Sequence, residues 1–368
     1  MNILYISFVD VRTKTGNHLR EMQMLKHLSK KFNITYLNIN SKNSHILNYK
    51  TKNHLSMDIF QGASFYLKFI RVIFKLNYLL NYLLCSKLNL YSNYKFFLRI
   101  GLGSLESYSK IFCFYSIPFH FLKLCDIKTK EILIDTNDVM LNRHNLLKTK
   151  VWWSFSQKKE SEILQKNTRL IYISSNDKEY YEKQLKFNHQ SILIPFSLPE
   201  KETFKIETNQ KVTIGFIGSN NPFNLHSLTE ILDLSKQNPQ YKFIIAGTIT
   251  DKIVMTLPKN VLVFSDNRNS VDFLKEFYKG LDLVYAPAHN KSGIKTKIIE
   301  GLSFGIPVVT NTNGYDKSLS ILKNNGLFVM EKYTSFNQIV STALNSEPRK
   351  NYLKYLQEVN EYINEINF

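Results

Sequence analysis

Ser292-Gly293-Ile294-Lys295-Thr296-Lys297-Ile298-Ile299-Glu300-Gly301-Leu302-Ser303-Phe304-Gly305-Ile306-Pro307-Val308-Val309-Thr310 follows directly on Leu281-Asp282-Leu283-Val284-Tyr285-Ala286-Pro287. The earlier run is apolar throughout and reads as a buried parallel strand. The order is therefore strand, short Ser/Gly loop, helix, glycine stop, proline and second strand. A loop feeding a helix N-terminus presents several N–H groups and the positive end of the helix dipole, which together favour an anion. Lys295 and Lys297 add mobile positive charge and suit a diphosphate better than a carboxylate. Glu300, on the same helix, can accept hydroxyl protons such as those of a ribose. These features point to a nucleoside diphosphate with a sugar attached.

The 368 residues are enough for two domains with separate cores. An apolar fraction of 43% with 21% charged residues describes a folded chain. Cys85, Cys113 and Cys125 lack metal-ligand spacing, which argues against structural zinc and disulfides and for a reducing cytoplasm. The chain starts with a core-strand pattern, Met1-Asn2-Ile3-Leu4-Tyr5-Ile6, and no apolar run is long enough to span a bilayer. The expected location is cytoplasmic, with a peripheral contact to the inner face of the cytoplasmic membrane as a further expectation.

Charge is uneven. Residues 1–210 hold 31 Lys+Arg against 16 Asp+Glu, and the remainder 17 against 14, within a total of +18. Such an excess suits nucleic acid, an anionic membrane or an acidic substrate. Nucleic acid is not expected, because no helix-turn-helix, zinc-finger or RNP-type pattern is present. A Lys-, Asn- and Ile-rich usage also raises the lysine count without any function. The apolar and aromatic run from Phe65 to Leu84, with Lys68, Arg71, Lys75, Lys87, Lys95 and Arg99 in and beyond it, fits helices lying on an anionic membrane. It equally fits helices packed on a sheet with their lysines outward.

Residues 2–9 read as a strand, His18–Lys30 as a helix and 32–39 as a strand, a βαβ opening. Its loop has Gly16 alone and so lacks a dinucleotide fingerprint. Strands are expected at Lys110–Tyr115, Glu131–Asp135, Thr168–Ser174 and Ser191–Phe196, and an amphipathic helix at 153–167. Ser175 and Asp177 are placed to cap the helix that follows the third of these strands. Pro199–Lys211 is polar and reads as a linker. Beyond it come strands at 211–217, 241–247 and 261–266, a helix at 271–280, and an amphipathic segment from Tyr352 to Ile366. The expected domains are 1–200 and 201–349, with 350–368 a helix returning to the first.

The Ser292–Thr310 stretch resembles the donor site of glycosyltransferase family 4, retaining nucleotide-sugar enzymes of the GT-B fold. The resemblance implies an α/β protein of two Rossmann-like, doubly wound domains facing a central cleft. In that family an acidic residue, seven intervening residues and a second acidic residue open the helix. Glu300 matches the second, which binds the donor ribose, and Ser292 stands where the first would hold the transferred sugar. Gly218, Ser219 and Asn220 match the phosphate-side loop, so the implied donor set is Gly218, Ser219, Asn220, Ser292, Gly293, Ile294, Lys295, Thr296, Lys297 and Glu300. Gly16, Asn17 and His18 match the acceptor-side loop, and Arg143 is placed there too. Many members carry Asp-Thr-His-Asp-Val where this chain has Asp135-Thr136-Asn137-Asp138-Val139. Asn137 thus replaces a histidine, and Asn137, Asp138 and Glu300 are the implied catalytic set. No Asp-x-Asp motif occurs, and the helix dipole with the lysines is expected to serve in place of a metal or other cofactor.

The function implied is transfer of a hexose from a nucleotide-sugar to a saccharide or lipid-linked saccharide acceptor in bacterial capsule or lipopolysaccharide synthesis. Two other classes compete. A nucleotide-sugar 2-epimerase of similar shape would need cleft acids and histidines that the sequence does not assemble. A non-catalytic basic binding protein would leave the Glu300 motif idle.

Overall fold

The computed structural model describes residues 2–7, 16–38, 46–49, 54–55, 108–115, 131–137, 139, 168–184, 186, 191–202, 211–254, 256–264, 272–331 and 334–364. The expected helix at 153–167, the apolar–basic run from 65 to 99, and Asp138 and Arg143 lie outside them. The chain divides into two compact units. One comprises Met1–His144, Lys150–Ile173 and Tyr180–Ile192. The other comprises Asn145–Thr149, Ser174–Glu179 and Leu193–Phe368.

The first unit holds an eight-stranded sheet. Its strands are β1 (Asn2–Ser7), β2 (Asn33–Asn38), β3 (Ile46–Tyr49), β4 (His54–Leu55), β5 (Lys110–Phe114), β6 (Ile132–Asp135), β7 (Thr168–Tyr172) and β8 (Ser191–Leu193). Their order is β4-β3-β2-β1-β5-β6-β7-β8. The run from β2 through β1, β5 and β6 to β7 is parallel, whereas β3 and β4 add on antiparallel. Helix α1 (Gly16–Lys31) supplies the crossover from β1 to β2, and it starts two residues earlier than its apolar spacing suggests. Met24, Leu25 and Leu28 are its buried apolar stripe. Tyr5 stacks between the rings of Phe112 and Tyr36, at 4.7 and 5.6 Å.

The second unit has six strands: β9 (Thr213–Ile217), β10 (Lys242–Ala246), β11 (Val261–Phe264), β12 (Leu283–Tyr285), β13 (Val308–Asn311) and β14 (Leu327–Met330). They run in the order β11-β10-β9-β12-β13-β14, all parallel. This is the doubly wound order in which the chain works outward from β9 in one direction and then from β12 in the other. The crevice at the carboxyl ends of the neighbouring pair β9 and β12 is therefore the topological switch point, where such sheets bind ligands.

Five of this unit's helices matter below: α2 (Ser175–Glu179), α3 (Pro222–Gln237), α4 (Phe273–Lys279), α5 (Thr296–Ser303) and, after α6 (Phe336–Leu344), α7 (Pro348–Asn364). Helix α3 buries Leu228, Ile231, Leu232 and Ser235, one face at helical spacing, against Phe216, Phe243 and Ile245 of the sheet. Helix α7 belongs to this unit and is fastened to the segment before β9. The Tyr352 hydroxyl donates to the Leu198 carbonyl at 2.7 Å, and that of Tyr355 to the Phe196 carbonyl at 2.6 Å. Among the described residues, no helix is long and apolar enough to cross a membrane.

Candidate functional site at the switch point

Helix α5 is held close to the sheet by its composition. A Cβ on Gly301 would lie 2.9 Å from a methyl of Val308 and 3.0 Å from one of Val284, so only glycine lets the helix settle on β12 and β13. The helix stops in a paired C-terminal motif: the Gly305 N–H donates to the Leu302 carbonyl at 2.9 Å and the Ile306 N–H to the Gly301 carbonyl at 3.1 Å. Gly305 takes the left-handed φ of 73° that this stop requires, and Pro307 follows. At the other end Lys295 is the N-cap residue, and no side chain caps the helix. Of the first-turn N–H groups, that of Ile298 donates to the Lys295 carbonyl at 2.9 Å, which leaves those of Thr296 and Lys297 without an intrahelical acceptor at the helix start.

The loop after β9 meets α5 from the side. Asn221 caps α3, its side-chain oxygen accepting the Asn224 N–H at 2.9 Å. The Asn224 amide then bridges two elements: its nitrogen donates to the Ser219 carbonyl at 2.8 Å, and its oxygen accepts from Lys297 Nζ at 2.9 Å. Lys297 Nζ also stands 4.2 Å from the centre of the Phe216 ring. Burial among these groups pushes the Lys297 ammonium down to about 7, against the opposing pull of Glu300. Gly218 owes its lack of a side chain to packing: a Cβ would sit 3.1 Å from the Asn224 side chain and 3.2 Å from the Phe216 ring. The Asn220 N–H donates to Thr248 Oγ1 at 2.9 Å.

Lys295 turns the other way. Its Nζ donates to Asn290 Oδ1 at 2.6 Å and to the Ser292 carbonyl at 2.5 Å, folding the side chain back over its own loop. The two lysines therefore diverge, as their spacing on the helix requires. Ile294 is buried beneath them, and Thr296 opens the helix. Gly293 has φ of 67°, a left-handed conformation that suits glycine.

Glu300 is buried one turn further along. One of its oxygens accepts the Tyr278 hydroxyl at 3.0 Å. Burial raises its carboxyl above the usual range, opposed by the Tyr278 hydrogen bond, Lys201 and Lys297. Tyr278 stacks on Phe304 with ring centres 4.7 Å apart, and Lys201 Nζ lies 4.5 Å from the centre of the Phe304 ring. The ring pair, the cation and the carboxylate form one packed group at the base of the helix.

The remaining polar groups of the loop meet α2. Ser292 Oγ donates to Asp177 Oδ1 at 2.9 Å, and the Gly293 N–H donates to Asp177 Oδ2 at 3.1 Å. The expected cap of α2 is displaced by one residue. Ser174, not Ser175, accepts the Asp177 N–H at 3.1 Å, because the capping hydroxyl must lie three residues before the amide it receives.

In the first unit, Asn137 follows β6 with a left-handed φ of 54°, a conformation that asparagine tolerates better than most residues. Its N–H donates to Asp135 Oδ1 at 3.2 Å, while Asp135 Oδ2 receives the Arg20 guanidinium at 3.0 Å in a fully buried pair. Burial raises the Asp135 carboxyl, and Arg20 opposes the shift. The side-chain nitrogen of Asn137 is buried with no hydrogen-bond partner among the described residues. Such an orphaned amide at a strand's carboxyl end has donors to offer a ligand. Gly16, Asn17 and His18 form the first turn of α1, and His18 is partly buried.

Sequence reasoning missed Asp177, Lys201, Phe216 and Tyr278. Asp177 reads locally as a cap and Tyr278 as part of an amphipathic helix, so neither announces its partner. Among the described residues no group of three His, Cys, Asp or Glu side chains could hold a metal ion.

Residues 211–346 match the family model of glycosyl transferases group 1. No curated protein sequence matches the chain. Sucrose-phosphate synthase from Thermosynechococcus elongatus superposes with a TM-score of 0.68 at 12% identity, covering 99% of this chain and 97% of that one. A lipopolysaccharide outer core galactosyltransferase in its apo form gives 0.60 at 12% identity, covering 99% of each chain. An Anabaena protein, HepE, crystallised with UDP and glucose, gives 0.57 at 10% identity, again over 99% of each. Residues 211–346 thus form a glycosyl transferases group 1 domain, and the chain as a whole has the GT-B fold of these structures.

Proposed function

We propose that this enzyme transfers a hexose from a nucleoside-diphosphate sugar, with retention of anomeric configuration, to a saccharide or lipid-linked saccharide acceptor in bacterial surface-polysaccharide or lipopolysaccharide assembly. The observation that carries the donor reading is the placement of Lys297. Its ammonium lies beside the uncapped first turn of α5, at the switch point of the sheet, one turn from the buried Glu300. A diphosphate there meets outward N–H groups, the helix dipole and one cation. Breakage of the sugar–phosphate bond leaves negative charge on the departing diphosphate, and fixed donors in place before the reaction stabilise that charge best. These groups take the part that a metal ion plays in other transferases. Glu300 receives the ribose hydroxyls with the oxygen that Tyr278 does not engage, and Asn137, with its orphaned amide, is the proposed catalytic residue of the first unit. The UDP and glucose bound by the Anabaena protein and the galactosyl transfer of the lipopolysaccharide enzyme support a nucleotide-sugar and a surface saccharide as the two substrates.

A panel of nucleotide-sugars tested for hydrolysis and for binding by titration calorimetry decides the donor. The reading expects one nucleotide to bind with its diphosphate much more tightly than as the nucleoside, and turnover to persist in EDTA. Failure of every nucleotide-sugar to bind would overturn it. The basic excess of residues 1–210 supports a peripheral contact with anionic lipid. Binding to anionic vesicles that weakens with salt, and is absent for neutral ones, is the expected result.

A further inference from the structure

Three consecutive residues of the donor loop are held by one short helical turn that lies about 115 positions earlier in the sequence. Asn176 Nδ2 donates to the Lys291 carbonyl at 3.1 Å, and Asp177 takes the Ser292 hydroxyl and the Gly293 amide at 2.9 and 3.1 Å. That turn is itself anchored. Asp316 accepts the Ser175 and Asn176 N–H groups at 2.9 and 3.0 Å, and Ser174 Oγ donates to Asp177 Oδ2 at 2.6 Å. Asp177 is only 1% exposed. A carboxylate so buried is tolerated because it collects several hydrogen bonds, and the same bonds fix the groups that supply them.

We propose that Asp177 is a positioning residue for donor binding: it locks the Ser292–Gly293 turn so that Lys295, Thr296 and Lys297 enter α5 at the angle a diphosphate needs. The proposal rests on the reading of α5 as the diphosphate site. Gly293, with its left-handed φ, has the most conformational freedom of any residue in the loop, and it is the one whose amide Asp177 holds. Without that hold the turn samples other conformations, and the ordering entropy falls on the donor when it binds. The Ser292 hydroxyl and Gly293 amide thereby act on the substrate through loop geometry, with their protons directed at Asp177. The Thr296 and Lys297 amides at the uncapped start of α5 remain for the phosphates.

The test uses Asp177→Asn, which keeps size and an acceptor oxygen, Asp177→Ala, and Ser292→Ala, which removes one bond from the less buried end. Amide hydrogen exchange on the ligand-free enzyme reads the lock without reference to any substrate. Exchange across 291–297 is expected to accelerate about tenfold or more in Asp177→Ala and less in Asp177→Asn, the loss of a charge-assisted hydrogen bond setting the scale. Exchange in β9 and β13 should stay as in the wild type. In steady-state assays the donor KM should rise by a similar factor, with Asp177→Asn intermediate and the acceptor KM unchanged. Adding Ser292→Ala to Asp177→Ala should change little further. Unchanged loop exchange in Asp177→Ala and Asp177→Asn would overturn the proposal, as would faster exchange throughout the second unit or an acceptor KM that rises with the donor KM. Should the wild type bind no nucleotide-sugar, the function reading fails, while the exchange measurement still decides the lock.

Discussion

Lys297 and Asn224 meet at 2.9 Å, and through them the helix that follows β12 is joined to the helix that follows β9. The contact lies at the switch point and aims the only ammonium of α5 across the first turn, over the Phe216 ring. Replacing Lys297 with Ala should weaken binding of a nucleoside diphosphate by about tenfold or more, since a charged hydrogen bond contributes roughly 1.5–3 kcal/mol. The free nucleoside should lose far less. Calorimetry with both ligands checks this, and equal losses would reduce Lys297 to a packing role.

Donor affinity should depend on pH through the same group. Free Lys297 titrates near 7, and an anionic diphosphate raises it back toward the ordinary lysine value, so the complex holds more protons than the free enzyme. Affinity is then full below pH 7 and falls as pH rises above it, by up to about tenfold per unit while the complex stays protonated. A nucleotide-sugar is the right probe, because its diphosphate diester does not titrate in this window. Lys297→Arg, charged throughout, should flatten the slope. A flat wild-type profile between pH 6 and 9 would contradict the assignment.

Glu300→Gln keeps the acceptor that Tyr278 uses and leaves the packing against Phe304 intact. Thermal stability should change little, while donor kcat/KM should drop about tenfold or more, because a neutral amide accepts hydroxyl protons less strongly than a carboxylate. An unchanged kcat/KM would remove Glu300 from the site.

Asn137 combines a left-handed backbone with an orphaned side-chain amide, and two substitutions separate those features. Asn137→Gly should preserve stability, since glycine adopts the conformation freely, yet lower turnover. Asn137→Ala should lower turnover equally and also destabilise by about 1–2 kcal/mol from backbone strain. Thermal melts with single-turnover rates test both halves. Full activity in the glycine variant would leave the amide without a role.

Gly301→Ala should destabilise the second unit by about 1–3 kcal/mol, because the added methyl meets Val308 and Val284 at the helix–sheet contact. Melting temperature is the readout. A neutral result would show that α5 can lift from the sheet without loss.

Much of the second unit was legible in the chain because its signals are local. Apolar runs marked the strands from 213 to 310, and Gly305 with Pro307 marked the end of α5. The helix start at Thr296 was visible too, because a Ser/Gly loop before an apolar-periodic run marks one in sequence. Boundaries shifted by up to four residues: β12 and α4 begin two residues later than expected, and α7 four residues earlier.

The sequence by itself determined an alternating α/β chain, a strand–loop–helix that carries Lys295 and Lys297 at its start, and an acid, Glu300, on that same helix. These follow from periodicities of two and 3.6 and from the few residues that can stop a helix, all set by neighbours within a turn or two. Helical spacing to Glu300 already favours Lys297 over Lys295, but tertiary structure alone decided that Asp177 captures Ser292 and Gly293, that Tyr278 engages Glu300, that Asn224 receives Lys297 and that Lys295 folds back on its own loop. Each partner lies 22 to 116 residues away except in the Lys295 contact, which closes on its own loop. A buried polar group must find its partner wherever packing brings one, and that distance in sequence leaves no mark on the residues themselves.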